Sequence, residues 1–313
     1  MLRWLLLSLS FLLAGLARAE PTPLDLDWFD EARQRAVPVR LYWPEGAGTV
    51  PLVVVSHGIG GSRQGYSYLG EHFAANGMAS LHLQHVGSDR SLWAGNPISL
   101  VGRLQDAAQE REALERVKDL SFALDRLLAD ERFGARIDRA RIAAAGHSYG
   151  ANTVMLAAGA RVQRAGRPLE LRDPRVRAAV LLSAPPFYGE ENPKAILQSI
   201  TLPTLHVTAT EDIIRIPGYY SPASDRISVF EAVGSPVKAL AVFEGGSHSI
   251  FTNRAGTGGA ELNPKVKAAT KELALAFLRR VFEGKEEALA RWPETYRPLL
   301  ARWTSPGTPA AAR

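Results

Sequence analysis

Short, uninterrupted apolar runs constrain the fold of this chain more than any other feature. "PLVVVSHGIGGS" begins at residue 51, and similar runs follow at "MASLHLQH" (78–85), "RIAAAGH" (141–147), "VRAAVLLSAP" (176–185), "LPTLHVTATED" (202–212) and "VKALAVFEGGSH" (237–248). A strand with one wet face alternates apolar and polar residues. A run without alternation needs both faces covered, the condition of a parallel sheet between layers of helix. Helical patterns lie between the runs. Residues 104–128 place Leu104, Ala107, Leu114, Val117, Leu120, Leu124, Leu127 and Leu128 on one face and charges on the other. After residue 148, "YGANTVMLAAGARV" is small and apolar nearly all round, as in a buried helix. Asn263 and Pro264 read as an N-cap and a first-turn proline of a helix reaching Phe282, with Ala268, Leu273, Ala276 and Phe277 inward. This alternation predicts an α/β fold with a doubly wound, mostly parallel sheet and helices on both faces.

Upstream, "LDLDWFDEARQRAVPVRLYWP" has two β-branched and aromatic runs around a polar turn at 30–35, which predicts a β-hairpin. No internal repeat or low-complexity linker divides the chain, so residues 20–304 are read as one domain. The segment 86–102 is the longest connection without periodicity, between a strand and the long helical pattern, where sheets of this class build pockets. The tail 305–313, "SPGTPAAAR", is read as disordered.

The first residues stand apart. "MLRWLLLSLSFLLAGLARAE" has an early arginine, an apolar stretch from Trp4 to Leu16, and Ala17-Arg18-Ala19 as an A-x-A site. That is the pattern of a signal peptide over 1–19 cleaved after Ala19, with a retained N-terminal anchor as the competing reading. The expectation is an exported protein, periplasmic or secreted. No later stretch approaches the ~20 apolar residues of a spanning helix, so no stable membrane insertion is expected. The chain has no cysteine, which excludes a disulfide, a thiolate nucleophile and a cysteine metal site. The net charge of +5 is mild and spread out. The densest basic stretch, Arg161 to Arg177, is interrupted by Glu170 and Asp173 and reads as a solvated loop, so no nucleic-acid partner is expected.

Gly146-His147-Ser148-Tyr149-Gly150 has the form G-x-S-x-G. Chance alone gives this pattern to roughly one chain in ten of such length. Context raises it, since a strand pattern precedes and a helical one follows, as a nucleophile elbow requires. A serine hydroxyl is a weak nucleophile until a base takes its proton. On such a sheet the order along the chain is serine, acid, histidine, and only His206 and His248 follow Ser148. His206 lies within an apolar strand and reads as core. His248, in "EGGSHSIF" beyond a strand end, is the candidate base. Asp212 directly follows the strand 203–210 and is the candidate acid. Its neighbour Glu211 would point the other way, and Asp225 lies in a loop less tied to a strand. An oxyanion needs preorganised N–H donors. The amide of Tyr149 supplies one and the loop "SHGIGGS" (56–62) the other, with Ile59 best placed and Gly58, Gly60 and Gly61 leaving its backbone open. His82 and His85, three apart on a strand, fall on opposite faces, so no metal is expected. "HGIGGSRQG" lacks the lysine and spacing of a phosphate loop.

"VVVSHGIGGSRQGYSYLGEHFAANG", "KDLSFALDRLL" and "GHSYGA" together resemble the α/β-hydrolase superfamily. More closely they resemble bacterial predicted dienelactone hydrolases related to platelet-activating-factor acetylhydrolases, over residues 35 to 280. The resemblance implies the α/β-hydrolase fold, Ser148, Asp212 and His248 as triad, and the amides of Ile59 and Tyr149 as oxyanion hole; no cofactor is expected. Dienelactone hydrolases use a cysteine nucleophile, which this chain lacks. The animal acetylhydrolases carry their acid one strand earlier, where "SAPPFYG" has no carboxylate. The expectation is a serine hydrolase acting on small carboxylic esters of short or medium acyl chain, with Trp93, Tyr149, Phe187 and Tyr188 as candidate pocket aromatics. An amidase or peptidase of the same fold, and a non-catalytic binding protein on this scaffold, are the alternatives.

Overall fold

The computed structural model describes residues 22–46, 48–216, 219–254 and 256–307. The expected signal peptide lies outside the described residues, as do residues 308–313 of the tail. The main sheet has nine strands in the order β1-β2-β4-β3-β5-β8-β9-β12-β13. These are β1 Leu24–Asp30, β2 Arg35–Tyr42, β3 Val50–Ser56, β4 Ala79–Leu83, β5 Ile137–His147, β8 Ala178–Leu182, β9 Thr204–Glu211, β12 Lys238–Ser247 and β13 Leu300–Thr304. Two small hairpins pair β6 (Gln163–Arg164) with β7 (Arg167–Pro168) and β10 (Ile214–Ile216) with β11 (Tyr219–Ser221). All six apolar runs are neighbouring strands, and from β4 to β12 every pairing is parallel. The antiparallel hairpin β1–β2 closes one edge through β4, and β13 closes the other against β12.

The helices are α1 Ser67–Ala75, α2 Leu100–Ala107, α3 Glu110–Ala129, α4 Tyr149–Ala157, α5 Pro193–Leu197, α6 Ser224–Ala232, α7 Leu262–Glu283 and α8 Glu287–Thr295. Each central strand feeds both faces. In β3, Leu52 and Val54 join the core under α3 and α4, while Val53 and Val55 join the core under α1 and α7. This is why the runs lack alternation. The molecule has the α/β-hydrolase fold, and its parallel strands end together at one edge of the sheet, where the candidate site lies.

Three expectations are corrected. The helix over 104–128 is two helices, broken where Gln109 turns extended (ψ 151) ahead of Glu110 and Glu112 in the first turn of α3. The segment 86–102 is not structureless: it carries 3-10 turns at Arg90–Trp93 and Pro97–Ser99, capped by Asp89 and Asn96, and the start of α2. Asn263 is not an N-cap. The last long helix begins at Leu262, and the buried Asn263 side chain turns back to the Thr257 carbonyl (2.8 Å) and hydroxyl (3.0 Å). Of the tail only residues 305–307 are described, and there the Gly307 carbonyl accepts from Arg280 at 3.0 Å.

Candidate active site

The Gly146–Gly150 turn links β5 to α4, and its geometry explains its glycines. Ser148 has φ 55 and ψ −121, a backbone state that costs a non-glycine residue about 1–3 kcal/mol. A Cβ on Gly146 would collide with the Gly150 carbonyl, and one on Gly150 with the Ser56 carbonyl of β3. The two glycines therefore let the turn close on itself and on the neighbouring strand.

Ser148, His248 and Asp212 come together from the ends of β5, β12 and β9. His248 Nε2 lies 2.8 Å from Ser148 Oγ, and His248 Nδ1 lies 2.6 Å from Asp212 Oδ1. The buried Asp212 also accepts from Thr208 Oγ1 at 2.6 Å, and the buried Arg226 approaches it at 3.5 Å. Burial alone would raise the pKa of Asp212. The hydrogen bond and charge of His248, with Arg226 and Thr208, reverse this and hold it well below the usual carboxylate range. A carboxylate so held keeps the proton of the imidazole on Nδ1, leaving Nε2 free to accept from the serine. Glu211 is exposed and points away, and Asp225 is engaged by Ser221 instead. His206 is buried in β9, with Nε2 at 3.2 Å from Thr204 Oγ1 and its ring edge-on to Phe230.

Ile59 lies in the loop after β3, beside the elbow. The carbonyl of the Gly58–Ile59 peptide accepts from His57 Nδ1 (2.7 Å) and from the Gly61 amide (3.0 Å). A trans peptide points its N–H opposite to its carbonyl. The Ile59 N–H, which has no partner among the described residues, is thereby held facing away from these anchors. The Tyr149 N–H is at the first position of α4 and has no acceptor within the helix. The loop glycines serve the protein's own packing. A Cβ on Gly61 would meet the His57 Cβ at 2.8 Å and its ring at 2.9 Å, and the Trp93 indole covers Gly60 and donates to its carbonyl at 2.8 Å. Of the pocket aromatics, Trp93 and Tyr188 stay exposed, Phe187 packs against the core, and the Tyr149 ring stacks on a buried arginine.

Several residues that sequence reasoning passed over hold these parts together. His147 Nε2 donates to the His248 carbonyl at 2.8 Å. Burial, with the charge of His248, pushes its pKa down to about 3, so the ring is neutral and Nδ1 is bare. Nδ1 therefore accepts from the Tyr66 hydroxyl at 2.9 Å, whose oxygen accepts from the Gly58 amide at 3.3 Å. One directed chain of hydrogen bonds thus runs from the Ile59 loop through the elbow to the His248 loop. Behind it lies a buried polar layer: Glu112, Arg116 and Asp119 on α3 face His57, His85, Ser56 and Ser88. His85 donates from Nδ1 to Asp119 at 3.0 Å and accepts at Nε2 from Ser56 at 2.9 Å. Burial opposes ionisation of Asp119, but His85 and Arg35 outweigh it and hold its pKa down to about 2. His82 bonds separately, to the Gly65 carbonyl and to Ser80.

A nine-stranded, mostly parallel sheet whose strand ends gather a serine elbow, a histidine and a carboxylate has the architecture of the α/β-hydrolase fold. Residues 36–115 match the model of the family described as platelet-activating factor acetylhydrolase, isoform II, which makes the chain similar to hydrolases of the lipase and esterase kind. The matched stretch includes the Ile59 loop and ends before Ser148, so the elbow, Asp212 and His248 stand on their geometry. No curated protein matches the chain.

Proposed function

We propose that the protein is a serine esterase that cleaves small carboxylic esters of short or medium acyl chain through an acyl-enzyme. The observation that carries this reading is the unbroken line Ser148 Oγ–His248–Asp212, at 2.8 and 2.6 Å, beginning on a strained elbow. Ser148 Oγ attacks the ester carbonyl carbon while His248 Nε2 takes its proton, and the carbonyl electrons move onto oxygen. The amides of Ile59 and Tyr149 receive that oxyanion. When the tetrahedral adduct collapses, the C–O bond to the alcohol breaks and His248 gives its proton to the departing oxygen. Water then attacks the acyl carbon and yields a proton to His248. The second adduct expels Ser148 Oγ, which regains that proton, and the carboxylic acid leaves. Asp212 holds the imidazole in the required tautomer and stabilises its charged form.

The partner is the ester itself, with no metal, cofactor, nucleic acid or stable membrane insertion called upon. The reaction is placed outside the cytoplasm, on the strength of the leader-like first residues. The test is labelling with a fluorophosphonate followed by a panel of aryl esters and amides graded in acyl length. Wild type is expected to be labelled and to hydrolyse esters, and Ser148→Ala to do neither. Folded wild-type protein that takes no label refutes the reading, and cleavage of amides without esters moves it to an amidase.

A further inference from the structure

Arg116 is a buried cation with no carboxylate in direct contact among the described residues. Its relative exposure is 0%, and it lies midway along α3 beneath the candidate site. Four neutral oxygens surround its guanidinium. Nε donates to Thr153 Oγ1 at 2.9 Å, Nη1 to Ser88 Oγ at 2.8 Å, and Nη2 both to Ser56 Oγ at 3.1 Å and to the His57 carbonyl. Its charge reaches carboxylates only through intermediaries: Ser88 donates onward to Glu112 at 2.8 Å, and Ser56 leads through His85 to Asp119. The face of the guanidinium lies 4.4 Å from the centre of the Tyr149 ring.

These contacts divide between the two walls of the oxyanion site. On one wall, Arg116 holds the His57 carbonyl while Tyr66 holds the Gly58 amide, so the peptide unit before the Ile59 donor is fixed at both ends. On the other wall, Arg116 grips the first turns of α4 at Thr153 and against the Tyr149 ring, next to the second donor. Single contacts to one wall would suffice for structure. One rigid, planar fork reaching both fixes the separation of two amides that no backbone hydrogen bond joins.

We propose that Arg116 is a positioning residue that sets the distance between the Ile59 and Tyr149 amides, so that its loss slows acyl transfer without weakening ester binding. The proposal rests on the esterase reading above. An oxyanion forms only on the way to the tetrahedral adduct, so donors displaced by a fraction of an ångström lower kcat and leave KM alone. Arg116 touches none of Ser148, His248 and Asp212, so the shape of the pH–kcat profile stays as in wild type.

The test uses the full chain, an aryl acetate and a fluorophosphonate, below the unfolding temperature of each variant. Arg116→Met is expected to lower kcat about 10- to 100-fold, with KM within about threefold, labelling of Ser148 slowed in parallel, and the pH profile unchanged in shape. Arg116→Lys, which keeps the charge but not the fork, recovers only part of the rate. Because Arg116→Met risks misfolding, Thr153→Val and Thr153→Ser form a second pair. The valine removes one contact and lowers kcat several-fold, and the serine restores it to within about twofold. Wild-type kcat in folded Arg116→Met, a rise in KM at constant kcat, or no difference between the two Thr153 variants overturns the proposal alone. An inert, unlabelled wild type overturns the esterase reading and the proposal with it.

Discussion

Acid is the perturbation to which this fold is most exposed. His57, His82, His85, His147 and His206 are each at most 3% exposed. Burial is the leading cause that lowers all five: His82 to about 4, His85, His147 and His206 to about 3, and His57 well below its ordinary value. In the unfolded chain each titrates near 6.5. A group whose folded pKa is depressed contributes stability above its unfolded pKa and loses it as pH falls toward the folded value. Between pH 6.5 and 4 the unfolded chain therefore takes up protons that the folded chain refuses. At pH 5.5 the loss is about 1.4 kcal/mol per histidine, about 6 kcal/mol for His82, His85, His147 and His206 together, and at pH 5.0 about 8 kcal/mol, with His57 adding in the same direction. Folding stabilities are about 5–15 kcal/mol, so the protein is expected to unfold near pH 5. Asp119 and Asp212, both depressed, lose their contribution at still lower pH and add in the same direction. Urea denaturation followed by tryptophan fluorescence at pH 7.5, 6.5 and 5.5 measures the slope. His206→Leu, which removes one titrating group, should reduce the loss between pH 7.5 and 5.5 by about 1.4 kcal/mol. A stability that changes by less than about 2 kcal/mol between pH 7.5 and 5.5 would refute the reasoning.

Two substitutions probe the site itself. Asp212→Asn should lower kcat by about 10³- to 10⁴-fold by releasing the His248 tautomer, while Glu211→Gln, exposed one residue earlier, should leave it within about twofold in an aryl-ester assay. Gly150→Ala places a methyl group against the Ser56 backbone carbonyl, which has no rotamer by which to give way, and should destabilise by about 3 kcal/mol, read as a lowered urea midpoint.

The sheet was legible because each central strand is covered on both faces and says so in uninterrupted valine, alanine and leucine. The edge strand β13, Leu300–Thr304, lies half-exposed and follows helices directly, so its residues carry no such signature. The break at 108–109 has neither glycine nor proline to mark it, and the apolar stripe runs on through it. In the candidate site, the meeting of Ser148, Asp212 and His248 could be expected from chain order and strand ends. The stripe Glu112, Arg116 and Asp119 was not. Charged residues at helical spacing opposite an apolar face normally meet water, and their burial here depends on Arg33, Arg35, His85 and Ser56, which only the fold brings to them.

That hidden layer holds a second serine–histidine–aspartate line. Ser56, His85 and Asp119 are joined at 2.9 and 3.0 Å, against 2.8 and 2.6 Å for Ser148, His248 and Asp212. The order of groups and the bond lengths are nearly the same, so they do not decide which line reacts. Surroundings do. Ser56 and His85 are both at 0% exposure, and the Ser56 oxygen already accepts from Arg116, which draws electron density from the atom that would attack. Ser56 ends a regular strand, with no strained turn to lift its hydroxyl clear. Ser148 is presented at φ 55 beside two amides, and the His248 side chain keeps 16% of its surface open. The same three side chains thus serve opposite ends. Sealed in, they make a rigid strut that carries the charge of Arg116 toward Asp119. Raised on an elbow at the sheet edge, they have the arrangement that the proposed esterase asks of a nucleophile, and the strut holds the Ile59 loop beside it.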